Sequence, residues 1–356
     1  MQSHITKYMT MSYKVTIIIP VYKVRDYIGR CVESIFMQEC SEVEIECILV
    51  DDCSPDDSME IAAKMIGEYN SRGGKIQFEM LRLPQNSGHC SARNAAVKMA
   101  SGDYYLFVDS DDYLERDSVK YFIEELDAVD EQPEVIMANA ISCLDKRLLS
   151  KIPEKQLIDN SNYEGLKLIL NRCIFNTSWN KLVKASVFTE KGLYFSEGII
   201  NEDLLWSYLV FLHAKHILLL PRATYHYEDT NQQSITNTNT QSKIIKFLKS
   251  RIFICNQIFS NPPRIDIPDY YGYLFCIIHR TVDVLEHQID LADADAVRNE
   301  IRRLRSRLLH STWKSRYLLL SCLVLTTYKP FYYLVMLRPF RRHFNSIIRR
   351  IVEASQ

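Results

Sequence analysis

Short apolar runs alternate with segments of helical periodicity through the first 140 residues, and no other feature restricts the chain as strongly. VTIII (15–19), IECILV (45–50), IQFEMLRL (76–83), YYLFV (104–108) and VIMAN (135–139) have strand length and strand composition. Between them Tyr27, Ile28, Cys31, Val32, Ile35 and Phe36 recur at helical spacing. Asp56 to Tyr69 opens on SPDD, with proline and acids where a helix start favours them, and further helices are expected around Ala92 to Met99 and from Glu115. This order predicts an α/β domain with a largely parallel sheet, whose ligands bind beyond the carboxyl ends of the strands. The unusual residues fall at those ends: Pro20 after the first run, Asp51 and Asp52 after the second, and Asp109, Asp111 and Asp112 after YYLFV.

Three polar clusters at these ends have chemistry to offer. In VDSDD (108–112), an Asp-x-Asp leaves most coordination positions of a hard divalent cation to water and a diphosphate, although acids there also suit a cap for the following helix. In VDDCSPDD (50–57), a strand-end carboxylate suits a ribose hydroxyl or a base N–H, or simply a turn. In NSGHCSARN (86–94), Gly88 allows a tight turn and Arg93 can offer its fork to a phosphate, or be ion-paired on the surface. Singly, each cluster is ordinary.

Taken in register, IIIPVYKVRDYIGRCVESI, ILVDDCSPDDS, NSGHCSARNAA and SGDYYLFVDSDDYL resemble successive blocks of the family 2 glycosyltransferases, inverting enzymes with a GT-A nucleotide-sugar fold. The resemblance is close over about residues 14–125 and looser in FNTSWNKLVKASVF (175–188), EGIINEDLLW (197–206) and YHYEDTNQQSIT (225–236). It implies a Rossmann-like, mostly parallel central sheet with flanking helices, followed by a helical C-terminal region. It also implies that Pro20 and Tyr22 shape the floor of the nucleotide site, that Asp52 contacts uracil or ribose, and that Arg93 lies near the nucleotide. Asp109 and Asp111 would belong to the metal and sugar-nucleotide site, with Asp111 the foremost ligand of Mg²⁺ or Mn²⁺. Asp203 matches the general base, Glu202 would position a sugar, and Trp179 would line the acceptor pocket unless it is a core aromatic. The donor implied is a nucleotide sugar, uridine being favoured, and the acceptor a hydroxyl of a glycan or lipid-linked glycan in cell-surface polysaccharide synthesis. The sequence departs from the family at Cys53, where glycine is usual, and at His226 and Glu228, where aromatic and basic residues are common.

The expected organisation is an extension (1–13), a nucleotide-sugar half (14–140), an acceptor and base half (141–239), a helical region (240–312) and a basic, apolar tail (313–356). Charge follows this division. Of 43 basic and 44 acidic side chains, 12 and one respectively fall from Ile301 onward, a local balance of +11 against −12 for the rest. An acidic body argues against nucleic acid as a partner, and a basic tail points to an anionic surface. YLLLSCLVLTTYKPFYYLVML (317–337) has spanning length, but Lys329-Pro330 divides it and its tyrosines suit an interface, so it is expected to lie on anionic lipid. The alternative is a helical pair packed on the catalytic domain or on a second copy, which leaves a homo-oligomer open. The start of the chain lacks the apolar core of a secretory signal and no C-x-x-C occurs, so reduced thiols and a cytoplasmic enzyme peripheral to the inner face of the plasma membrane are expected. His213-x-x-His216 lacks the partners of a zinc site.

Two rival functions are weaker. A sugar nucleotidyltransferase calls for a Gly-rich basic loop after the first strand, and here that position reads PVYKVRDY, with no glycine before Gly29. An inactive membrane-bound scaffold of the same fold has no need to keep Asp111 and Asp203.

Overall fold

The computed structural model describes residues 13–41, 43–231, 241–286 and 294–312. The chain divides into two compact units, Met1–Asn239 and Thr240–Gln356.

The first unit is built on one sheet with strand order β3-β2-β1-β4-β8-β6-β9-β5, β7 also pairing β9. The strands are β1 (Tyr13–Val21), β2 (Val43–Asp51), β3 (Gln77–Arg82), β4 (Tyr104–Phe107), β5 (Tyr113–Leu114), β6 (Val135–Ser142), β7 (Gln156–Asp159), β8 (Lys181–Lys184) and β9 (His216–Tyr227). All five apolar runs of the first 140 residues are strands. β1 is almost entirely buried, as a central parallel strand covered on both faces must be. β3, at the edge, is mostly exposed.

The parallel arrangement holds for β3-β2-β1-β4. Beyond it the sheet is mixed: β8 is antiparallel to both β4 and β6, while β6 and β9 run parallel. The expectation of a largely parallel sheet is thus met in the first half and corrected in the second. Short runs such as KLVK say nothing about direction, which the connections decide.

Helices α1 (Ile28–Phe36), α2 (Ser58–Ser71), α3 (His89–Met99) and α4 (Ser118–Asp127) lie in the links between the early strands. In α1 the buried residues Ile28, Cys31, Val32 and Ile35 form the apolar stripe that the spacing predicts. Gly102, before β4, is required by close approach: a Cβ there would lie 2.6 Å from Thr16 Oγ1 and 2.7 Å from the Thr16 nitrogen. The second half adds α5 (Glu164–Leu170), α6 (Ser186–Thr189) and α7 (Glu202–His213).

An aromatic cluster fixes α7 to β4. Trp206 stacks on Phe195 at 4.6 Å and meets Phe107 edge-on at 5.8 Å, and its indole N–H donates to Leu193 O at 3.0 Å. Asn94 of α3 holds the same segment by exchanging two hydrogen bonds with the Phe195 backbone at 2.9 and 3.0 Å. The N-terminus of α7 is thereby brought to the carboxyl end of β4.

The second unit contains α8 (Gln241–Ser260), α9 (Pro268–Glu286) and α10 (Ala294–Thr312), which pack on one another. Val297, Ile301, Leu304 and Leu308 form the buried stripe of α10. Among the described residues no helix is long and apolar enough to cross a membrane, and all nine cysteines are free. The tail of 313–356, on which the lipid expectation rests, lies outside the described residues.

Candidate active site

The strand order reverses between β1 and β4, because the chain runs outward through β2 and β3 and then returns to the other side of β1. A crevice opens at such a switch point beyond the carboxyl ends. Pro20 lies near the end of β1 with Tyr22 just beyond it, Asp52 follows β2, Asp109 and Asp111 follow β4, Arg93 is in α3, and Glu202 and Asp203 open α7.

On the β2 side, Asp52 is buried, and its N–H donates to Val21 O at 3.0 Å. Its two carboxylate oxygens accept the N–H groups of Ser87 and Gly88, each at 2.7 Å. Asp52 therefore ties the 86–88 loop to the sheet, and Gly88, at φ +89°, makes the turn into α3. Cys53 has φ +56°, which accounts for the glycine usual at this position. Pro20 is buried beside Val50, and Tyr22 is exposed with the Lys23 ammonium 5.3 Å from its ring centre.

The acidic loop after β4 is held from beneath. The buried Tyr225 hydroxyl accepts the Asp109 N–H at 3.0 Å and donates to Asp112 Oδ2 at 2.6 Å, while Asp112 Oδ1 accepts the Glu228 N–H at 2.7 Å. Asp111 accepts from Asn231 at 3.0 Å, and its carbonyl accepts from Arg30 at 3.1 Å. Arg30 also pairs with Glu228 at 2.8 Å. Burial raises the Asp111 carboxyl and the Asp109 charge raises it further; Asp112, fully enclosed, is pushed well up by burial and by both neighbouring aspartates.

The third side is the start of α7. Glu202 and Asp203 occupy its first turn, where the helix dipole favours negative charge. Arg93 is buried, with Nη2 donating to Asp109 at 2.5 Å and Nη1 to Glu202 at 3.1 Å. Its guanidinium is thus turned into the protein, joining the acidic loop to α7, and is not displayed to solvent. His89 Nε2 lies 2.6 Å from the same Glu202 oxygen and carries the proton of that bond, since an ionised carboxylate only accepts. Burial would raise the Glu202 carboxyl, but the His89 hydrogen bond and the positive neighbours outweigh it and hold it at about 2. Asp203 is the opposite case: burial, then the Glu202 charge, lift it to about 7. Lys181, fully buried nearby, is lowered to about 7 by burial against the opposing pull of Asp203.

Trp179 is only 5% exposed and stacks on Tyr225 at 4.7 Å and Tyr227 at 5.4 Å, the position of a core aromatic and not of an open pocket wall. His226 bonds Glu115 at 2.8 Å and stacks on Tyr113 at 4.4 Å, which is a structural placement. Sequence reasoning missed His89, Asn94 and Tyr225. The first had a signal, since His89 and Arg93 are four apart on one helix and so share a face.

Residues 16–190 match the family model described as glycosyl transferase family 2. The chain is 28% identical over 216 residues to the poly(ribitol-phosphate) beta-N-acetylglucosaminyltransferase TarS of Staphylococcus aureus, covering 60% of this chain and 35% of that relative. It therefore spans about a third of that relative's length. The crystal structure of S. aureus TarS 1–349 with UDP-GlcNAc superposes with a TM-score of 0.60 at 20% identity, covering 85% of this chain and 91% of that one. The mannosyltransferase PcManGT of Pyrobaculum calidifontis, solved with GDP-Man and Mn²⁺, gives 0.50 at 12% identity, covering 92% and 85%. With its motifs, its strand order and this match together, residues 16–190 of the chain form a domain of glycosyl transferase family 2.

Proposed function

We propose that the protein is an inverting glycosyltransferase that moves a sugar from a nucleotide sugar, with UDP as the nucleotide, to a hydroxyl of a glycan or lipid-linked acceptor in cell-surface polysaccharide synthesis. The observation that carries this reading is the Arg93 fork, which brings a donor-type acidic loop and a carboxylate pair suited to proton transfer within the reach of one guanidinium. Asp52 and the loop it anchors would receive the nucleoside, and Asp109 and Asp111 would face the diphosphate. Asp203, lifted to about 7, has the proton affinity of a base working near neutral pH. It would take the proton of the acceptor hydroxyl as that oxygen attacks the anomeric carbon from the face opposite the leaving diphosphate. A single displacement inverts that centre and needs no protein nucleophile.

The acidic loop fits a hard divalent cation: its donors are carboxylate oxygens, and burial and then the Asp109 charge raise Asp111, a repulsion that a cation relieves. Asp111 would be the principal ligand and Asp109, shared with Arg93, the second. When bound, Mg²⁺ or Mn²⁺ supplies the positive charge that makes the diphosphate a good leaving group. The neighbour solved with GDP-Man and Mn²⁺ supports this assignment. The basic tail supports a peripheral place on the inner face of the plasma membrane, where a lipid-linked acceptor is within reach.

Thermal unfolding in a panel of nucleotide sugars, with Mn²⁺, with Mg²⁺ and with chelator, tests the reading together with nucleotide release. Stabilisation by UDP-sugars that disappears with chelator is expected. Failure of every nucleotide diphosphate to bind would favour an inactive scaffold.

A further inference from the structure

Three donors of α3 converge on Glu202. His89 Nε2 and Arg93 Nη1 bond the same carboxylate oxygen, and the buried Cys90 thiol is a third hydrogen-bond neighbour. Asp203, one residue on, accepts the N–H of Leu204 at 3.0 Å. Two adjacent acids in one helical turn thus have opposite surroundings. His89 owes its position to the donor side, since it directly follows Gly88, whose N–H is held by Asp52.

We propose that His89 is a positioning residue for proton transfer: by holding Glu202 against Arg93, it reserves Asp203 as the carboxylate that takes the acceptor's proton. The inference rests on the reading of Asp203 as the base. The groups facing the pair are His89, Cys90 and Arg93 on α3, Asp109 beyond Arg93, and Lys181 on β8. Glu202 is itself a cause of the high Asp203 carboxyl, so whatever neutralises Glu202 lowers the pH at which Asp203 becomes a base. Removing His89 leaves Glu202 less compensated. Asp203 then holds its proton to higher pH, and turnover at neutral pH falls.

The test compares wild type, His89→Ala and His89→Gln by pH–rate profile and by carbon-13 NMR titration of the Asp203 carboxyl in the unliganded protein, assigned with Asp203→Asn. For His89→Ala the acid limb and the NMR titration should both move up by about one pH unit, lowering kcat about fivefold at pH 7 while donor KM stays within about twofold. His89→Gln, which can still donate to Glu202, should fall between the two and approach wild type above pH 8. An unmoved acid limb in a folded His89→Ala protein overturns the proposal. If no nucleotide sugar is turned over by wild type, the transferase reading fails, and the NMR titration decides the positioning role by itself: an Asp203 carboxyl indifferent to His89 overturns it.

Discussion

The phenol oxygen of Tyr225 lies 2.6 Å from a carboxylate oxygen of Asp112, although 113 positions separate the two residues. The same hydroxyl receives the Asp109 N–H, so one buried oxygen sets both the backbone and a carboxylate of the acidic loop. Tyr225→Phe keeps the ring stack on Trp179 and removes only that oxygen. Leaving a buried carboxylate and a buried N–H short of a partner costs about 1–3 kcal/mol. Donor KM and the metal concentration for half-maximal activity should both rise, with a smaller loss in kcat; kinetics at several Mn²⁺ concentrations, beside a denaturation curve, check this.

Asp203→Asn should lower kcat by about 10²–10⁴-fold, the share usually carried by a general base, while nucleotide affinity stays close to wild type. The same change should stabilise the fold at alkaline pH. The Asp203 carboxyl is raised above its unfolded value of 3.8, so ionised Asp203 destabilises the native state increasingly as pH rises from there through about 7. Melting curves at pH 4 and pH 8.5 should show the gain only at the higher pH.

Arg93→Ala removes the buried cation between Asp109 and Glu202. Breaking a buried ion pair from one side costs about 3–5 kcal/mol. A large fall in the denaturation midpoint is expected together with loss of nucleotide-induced stabilisation. Arg93→Lys should fail to restore either, because an ammonium lacks the planar fork that reaches both carboxylates.

Cys53→Gly should raise stability by about 1 kcal/mol, since a left-handed backbone strains a residue that carries a Cβ. Urea denaturation reads the gain. Nucleotide affinity should be unaltered, because Asp52 is anchored through its own side chain to Ser87 and Gly88.

The strands of the first half were legible because a buried parallel strand needs an unbroken apolar run, and VTIII, IECILV and YYLFV are such runs. Strand direction in the second half was not legible, because KLVK and HILLLPRATYHY are compatible with either orientation. The acids of the site could be picked out by type and position, but their partners could not. That Arg93 turns inward to Asp109 and Glu202 depends on α7 being drawn to β4 by Trp206, Phe195 and Phe107, a packing event between distant segments. Trp179 shows the converse: a flat ring suits a sugar pocket and a core equally well, and only its burial under Tyr225 and Tyr227 distinguishes them.

Strand β9 is the last strand of its unit to leave the ribosome, yet it supplies the hydroxyl and the Glu228 N–H that hold Asp109 and Asp112 in place. A nascent chain ending near residue 200 would contain β1 to β8 and all the acids of the loop, but neither the Tyr225 hydroxyl nor the Glu228 N–H. Synthesis thus imposes an order on maturation: the bonds from Asp52 to the 86–88 loop can form before β9 emerges, whereas those from Tyr225 and Glu228 to Asp109 and Asp112 cannot.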